Sequence, residues 1–251
     1  FDVGSRVVLA DFESSAGDAA PSDLITEALR IDLAQSSALV LVQPQEITEA
    51  LERMLRAADT PMTEAAAREV AVRVGAPVVI AGEIGRIGSS FVLTARVLEA
   101  QSGSVLAPFR VTAHGENELI SAVDDLSARV RSKIGESLRS VAATEPLALV
   151  TTSSLEALRR FTTAVNSVTR GRLSPSAAQG LLLEAVALDS TFSMGHRALA
   201  VQIRNYGGDR ELGARAAEAA FRHRARLPER ERLLIEASYY TFTEGDERRA
   251  M

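Results

Sequence analysis

Apolar positions change their period along this chain. Arg6–Phe12 (RVVLADF) is a short β-branched and apolar run that leaves through the polar Glu13–Gly17, the pattern of a buried strand entering a loop. From Ser22, placed to cap a helix, Leu24, Ala28 and Ile31 with Leu29 and Leu33 recur at helical spacing until Ser36 and Ser37 stop them. Ala38–Val42 reads as a second strand, stopped by Pro44, and Ile47, Leu51, Met54 and Leu55 mark a second helix. Thr63–Glu64 opens a third helix, which Gly75 closes. Beyond Pro77 the period becomes that of strands. Val78–Ala81 is continuous, Ser90–Leu98 alternates as a strand covered on one face does, Gln101–Gly103 turns, and Val105–Thr112 returns. Two strands separated by helices and then a three-stranded meander predict a mixed five-stranded sheet with helices, an α/β domain over residues 1–143.

Asn117 is placed to cap a long amphipathic helix whose stripe is Leu119, Val123, Leu126, Val130, Ile134 and Leu138, interrupted only by Gly135. At ~1.5 Å per residue it would reach ~35 Å. Thr144–Pro146 ends it, so residues 144–152 read as a linker and residues 153–251 as an all-α domain. Ser153–Glu156 (SSLE) fits a capping box, and Ser174–Pro175 supplies a cap followed by proline at the first helical position. Ala178, Leu182, Ala185 and Ser190 recur thirty-eight residues later as Ala216, Ala220, His223 and Pro228, on the second helix of each unit. Leu199, Ala200 and Ile203 mark the first helix of the second unit. A third unit opens at Leu234, Ala237 and Ser238, turns at Gly245–Asp246 and places Ala250 where Ala178 and Ala216 stood. The pattern implies that the sequence stops inside a repeat and leaves the Leu234 and Ile235 face for another helix pair or a second copy of the chain.

Small residues at these positions let paired helices approach closely, the physical logic of a solenoid. The pattern resembles tetratricopeptide repeats with a degenerate first unit. The Trp and Tyr of strong repeats are absent or replaced by Phe161, His196 and Ile203, and an unrelated helical bundle fits the same spacing.

Composition narrows the chemistry. Of 251 residues 46% are hydrophobic but only 4% aromatic, with no Trp, which disfavours an aromatic ligand cage. The absence of Cys removes disulfides, thiolate metal sites and cysteine nucleophiles. No apolar run approaches the ~18 residues that span a bilayer, so the sequence reads as a soluble piece of a longer protein. The net charge of −5 is uneven: residues 1–150 carry 13 basic and 21 acidic groups, residues 151–251 carry 15 and 12.

Gly82–Gly88 (GEIGRIG) follows a strand as a phosphate-cradling loop does, but another strand follows it, so the glycines read as a tight turn or bulge and no nucleotide or other cofactor is expected. His114, His196 and His223 are scattered, without metal-ligand spacing. His114 with Glu116 reads as a solvated loop pair and Asp124 with Asp125 as surface charges on different sides of a helix. Arg222–Arg226 with Arg230 and Arg232 is the one basic cluster. It ends a helix and alternates with Glu229, Glu231 and Glu236, so nucleic acid is not an expected partner.

At the level of the whole chain, RVVLADFE (Arg6–Glu13), GAPVVIAGE (Gly75–Glu83), VLTARVLEAQSG (Val92–Gly103), IGESL (Ile134–Leu138), VTTSSLEAL (Val150–Leu158), EAVALDSTF (Glu184–Phe192) and LPERERLLIEASYY (Leu227–Tyr240) occur in an order that resembles the extracytoplasmic region of some bacterial receptor-type serine/threonine protein kinases and related tetratricopeptide signalling proteins. The first half alone resembles the α/β domain at the front of the Tol–Pal protein TolB and of curli-secretion-type lipoproteins. These resemblances imply a periplasmic location, a membrane segment before Phe1, and a kinase domain elsewhere in the parent, since no V-A-I-K, H-R-D or D-F-G motif occurs here.

The leading expectation is a non-catalytic sensor or interaction module that binds protein or peptide. By analogy with such repeats, Arg159, Arg197, Arg204 and Asn205 face an acidic or carboxylate-bearing partner, because guanidinium forks pair well with carboxylates. Two alternatives stand beside it: an enzyme using Asp11, Glu13 and Glu83 at strand ends, and a structural adaptor in an envelope or secretion assembly.

Overall fold

The strand runs assemble into one mixed sheet. In the computed structural model, which describes residues 4–15, 20–169 and 173–243, β1 (Ser5–Leu9), β3 (Leu39–Leu41), β4 (Val78–Ile87), β5 (Ser90–Glu99) and β6 (Val105–Ala113) lie in the order β3-β1-β4-β5-β6. β1 is parallel to β3 and β4, while β4–β5–β6 is the antiparallel meander. A sixth, two-residue strand, β2 (Glu13–Ser14), pairs in parallel with β4 where the sequence suggested only loop.

Helices cover both faces. α2 (Pro44–Arg53) and α3 (Glu64–Val74) bury Ile47, Leu51, Ala67 and Val70 against Val8, Ala10, Val79 and Ala81. Because strand side chains alternate, Val7, Leu9, Ile80 and Leu93 point to the opposite face, where α1 (Ala20–Leu33) and α4 (Leu119–Lys133) pack. Thr63 caps α3 by accepting the Ala66 N–H, and Gly75 ends it in the left-handed conformation, both as read from sequence.

Several local expectations fail for identifiable reasons. α1 begins at Ala20, so Ser22 lies inside it and its carbonyl accepts the Thr26 hydroxyl. α2 stops at Arg53, and Leu55 stands at φ 58°, 97% exposed, off the apolar face. The long helix is broken. Asn117 does not cap it; a short 3₁₀ turn, Glu116–Glu118, leads into α4, whose 15 residues span about 22 Å. Gly135 at φ 103° then turns the chain, Ser137 caps the short α5 (Leu138–Ala142), and Leu138 is 76% exposed. Gly82–Gly88 continues β4 and turns at Gly88 (φ 62°) into β5, so no cradle forms. A Cβ on Gly82 would lie 2.4 Å from the Thr94 carbonyl oxygen and 2.5 Å from the Phe12 ring, so glycine there makes room for a core aromatic.

Contacts divide the chain into two units, Phe1–Leu147 and Ala148–Met251, and α6 (Leu147–Val150) spans the division. The second unit is helical: α7 (Leu155–Thr169), α8 (Pro175–Leu188), α9 (Ser193–Tyr206), α10 (Arg210–Arg222) and α11 (Glu229–Thr243) each pack on the next, and α11 also reaches α9. Buried small residues, among them Ala157, Ala164, Ala178, Ala185, Ala200, Ala216 and Ala220, lie on the packed faces, and Phe161 meets Phe192 edge-on at 5.1 Å. Ser174 caps α8 ahead of Pro175 as expected. At α7 the cap is Ser154, one residue later than the capping-box reading, and Glu156 turns to Arg160 instead. Ile235 of α11 is fully buried rather than left open, whereas Leu233 and Leu234 are exposed. The turn at Gly245–Asp246 and the helix expected after it lie outside the described residues.

Candidate functional site

The carboxylates considered for an enzyme do not form one constellation. Asp11 accepts the Met62 N–H at 2.9 Å and serves the loop before α3. Glu13 and Glu83 are register partners on β2 and β4, both exposed, and Glu83 accepts the Thr94 hydroxyl from the next strand at 3.2 Å. Among the described residues no group of three or more His, Asp or Glu side chains has a geometry that could hold a metal ion. The His114 N–H donates to Glu118 at 2.8 Å.

Asp124 is not the surface charge its sequence position suggests. It accepts the Leu147 N–H at 2.8 Å, and burial, with Asp32 and Asp125 nearby, pushes its carboxyl up to about 6. On the following turns of α4, Arg131 is 2% exposed and makes a bidentate pair with Glu136, Nε–Oε2 at 2.8 Å and Nη2–Oε1 at 2.7 Å. Burial alone would raise the Glu136 carboxyl, but Arg131 and the Ser36 and Ser140 hydroxyls outweigh it and bring it to about 2. Burial also raises Asp32, against the opposing Ser127 hydroxyl and Arg131 charge. This network fastens the chain after α4 to α1; Arg131 and Glu136 find their partners within the α/β unit, which suits structure rather than ligand binding.

In the helical unit one member of the basic cluster, Arg224, is engaged within the fold. Arg224 lies 3.5 Å from the centroid of the Phe221 ring and pairs with Glu236 at 2.9 Å. Half-buried His196 meets the Ser190 carbonyl at 3.0 Å, and burial lowers its pKa.

A different feature opens at the end of α9. That helix stops at Tyr206 because Gly207 (φ 84°) and Gly208 (φ 141°) take backbone conformations open chiefly to glycine. Asp209 then caps α10, accepting the Glu211 and Leu212 N–H groups at 2.9 and 3.2 Å. Gln179 of α8 pins the turn by donating to the Gly207 carbonyl at 2.8 Å. On α10, Gly213 lacks the Cβ that would sit 3.1 Å from the Phe242 ring and 3.2 Å from Ile203, so α11 lays its phenylalanine across the joint. Between these parts lies a cavity of about 330 Å³ lined by Ile203, Arg204, Gly208, Arg210, Thr241 and Phe242.

Of the four residues expected to bind a partner, the cavity takes Arg204. Asn205 lies beside it, its Oδ1 3.5 Å from the Arg204 Nε. Arg197 stands seven residues before Arg204 on α9, on the same helix face. Arg159, on α7, pairs with Glu156 at 3.8 Å. Arg210, Phe242 and Gly208 escaped the sequence reading, because the site joins the ends of three helices. The signal available was Gly207-Gly208-Asp209: a chain reversal followed at once by a cap, which delivers the next residue, Arg210, to the mouth of the turn.

Among the described residues no helix is long and apolar enough to cross a membrane. No family model matches the sequence, and no curated protein matches it. Solved structures similar in part include the LpoB C-terminal domain from Escherichia coli, at 21% identity over 45% of this chain and 84% of that one, with a TM-score of 0.39. TolB from Acinetobacter baumannii is 13% identical over 53% of this chain and 29% of its own, with a TM-score of 0.36. The lipoprotein GNA1162 from Neisseria meningitidis is 14% identical over 53% of this chain and 99% of its own, with a TM-score of 0.38.

Proposed function

We propose that this chain is a non-catalytic protein-interaction module of the bacterial envelope, an extracytoplasmic sensor region whose helical unit binds a protein or peptide. The observation that carries the reading is the stack α7–α11, in which alanine-lined faces pair each helix with the next while Arg204 and Asn205 are exposed at the end of α9, where Arg204 lines an open cavity. Glu13 and Glu83 on an open sheet surface, with Asp11 engaged by Met62, give acid–base chemistry little to work with. The order of motifs along the chain supports placing the module in a receptor-type serine/threonine kinase or a related repeat protein of the same compartment. The four residues Arg159, Arg197, Arg204 and Asn205 are assigned to the partner-facing surface.

The test is site-specific photo-cross-linking at Arg197 or Asn205, in bacteria that make the protein with a periplasmic leader. An adduct of one defined mass that is lost on competition with the unlabelled protein is the expected result. No adduct at either position, or substrate turnover by the purified chain that Glu83→Gln abolishes, overturns the reading.

A second reading, the envelope adaptor, is favoured by β6, the nine-residue strand at the end of the sheet order, where Val105 and Leu106 are exposed. The strand is blunted in its middle by Pro108, which has no N–H to offer, and by Arg129, which donates to the Arg110 carbonyl at 3.2 Å. An adaptor contact at this edge therefore falls on its Val105 end.

A further inference from the structure

One face of the sheet is covered over only part of its width. α2 and α3 close it as far as Ala81 of β4, and Glu64 at the start of α3 reaches Arg96 of β5 at 2.8 Å. Beyond that row Glu13, Glu83, Thr94 and Arg110, one on each of β2, β4, β5 and β6, are register partners in a single line across the sheet. Glu13, Glu83 and Arg110 are exposed. Arg129, from α4 behind the sheet, extends the line by one place: it rounds the outer edge of β6 and donates to the Arg110 carbonyl at 3.2 Å. Across the strands the charges therefore run negative, negative, neutral, positive, positive.

That order is unfavourable within one chain and favourable between two. Like charges at directly opposed strand positions repel, and Glu13 is the register partner of Glu83. The Thr94 hydroxyl meets Glu83 at 3.2 Å, but the cations begin a further strand away. A two-fold axis lying in the sheet surface along β5 turns the line end for end. It sets Glu83 of each copy against Arg110 of the other, Glu13 against Arg129, and Thr94 against itself. The next line, Gly85, Val92 and Thr112, then brings Val92 onto its own copy at the centre, an apolar contact. Arg96 would also meet its copy, but Glu64 draws it aside. Sheets packed face to face cross at about 30°, so these central lines are the ones that must match.

We propose that the open face of β4, β5 and β6 is a docking surface for a second copy of this chain, in a two-fold dimer held by Glu83–Arg110 and Glu13–Arg129 pairs around Val92. Four strands at about 4.8 Å and three lines of side chains at about 7 Å make a face of about 400 Å² per copy, half the about 800 Å² of a stable complex. The dimer is therefore weak and reversible, forming where chains are concentrated or held side by side, and its exposed ion pairs make it sensitive to salt. The surface lies in the α/β unit and is independent of the partner assigned to the helical unit, so either assignment can fail without the other.

The test uses the whole chain in sedimentation velocity from about 10 μM to about 1 mM, in about 20 mM and about 500 mM sodium chloride. At low salt the mass is expected to rise from one chain toward two with concentration, and high salt should lower the association constant about tenfold or more. Glu83→Arg and Arg110→Glu should each cost about tenfold or more, because each reversal acts twice across the two-fold, and the Glu83→Arg, Arg110→Glu double variant should associate like the parent. Circular dichroism melts check that these variants remain folded. The chain has no Cys, so Val92→Cys adds a single thiol. A short bismaleimide should join Val92→Cys to its own copy and leave Val40→Cys, exposed on the opposite edge strand, unjoined. A chain that stays monomeric at the highest concentration, association indifferent to salt or to either single reversal, a double variant as weak as the singles, or equal cross-linking through Val40→Cys each overturns the proposal.

Discussion

In the α/β unit Arg131 is almost fully enclosed, and its guanidinium is matched by Glu136 and Thr144, whereas in the helical unit Arg204 and Arg210 stand on an open cavity with no carboxylate opposite among the described residues. The same side chain thus closes one unit and lines an open cavity in the other. Burial makes the first arrangement costly to break and unavailable to a ligand; exposure makes the second cheap to alter and open to one. The contrast separates residues that hold the α/β unit together from residues that line an open cavity in the helical unit.

The largest expected effect comes from breaking the enclosed pair. Arg131→Met leaves Glu136 buried beside Asp32 without its counter-charge and should destabilise the α/β unit by about 3–5 kcal/mol. Urea unfolding followed by circular dichroism measures it. A loss below about 1 kcal/mol would mean that the network is not holding the chain after α4. Next in size is Gly82→Ala, which sets a methyl against both the Thr94 carbonyl and the Phe12 ring and should cost about 1–3 kcal/mol. Phe12→Leu should rescue it only in part, because the carbonyl contact remains.

The sheet was legible because alternation along β5 and the continuous run of β4 record which faces are covered, and the meander follows from short turns. The break after α4 was not. Leu138 continues the apolar stripe in sequence, so periodicity runs through Gly135 without a mark, and only its positive φ shows that the chain has turned. Ser153 and Ser154 are chemically equivalent caps, and which one serves is decided by where α7 packs. Arg204 was legible as an outward residue of α9, while Arg210 and Phe242 join it through tertiary placement that no local pattern encodes. Asp124 looked like its neighbour Asp125, and only the return of the chain at Leu147 distinguishes the two.

Titration sharpens the comparison at a smaller scale. Asp124 has its carboxyl raised from 3.8 to about 6 in the fold, so the stability it contributes is fully present below about pH 3.8 and is lost as pH rises through about 6. Glu136 is lowered from 4.5 to about 2, so its contribution is present above about pH 4.5 and is lost as pH falls through about 2. Asp124→Asn, whose side-chain oxygen can still accept the Leu147 N–H, should therefore raise the melting temperature at pH 7.5 and have little effect at pH 4. Equal shifts at the two values would show that the carboxylate charge does not matter there.

The smallest expected effect lies in the open site. Arg204→Gln with Arg210→Gln removes the cation over the Phe242 ring, worth about 0.5–1 kcal/mol at an exposed position, and also removes the repulsion between two cations that share a cavity. The two losses act in opposite directions, and neither arginine has an ion-pair partner among the described residues to leave behind. The double variant should therefore unfold within about 0.5 kcal/mol of the parent, the range of an ordinary surface change. Guanidinium chloride, itself a salt, would mask such charge effects, so the measurement belongs in urea at low ionic strength and again in concentrated sodium chloride. If the repulsion outweighs the ring contact, the double variant gains most at low salt and the gain fades as the Debye length shortens. A loss of about 2 kcal/mol or more would instead make Arg204 and Arg210 structural members of the helical unit, like Arg131 in the α/β unit, and would erase the distinction between the two.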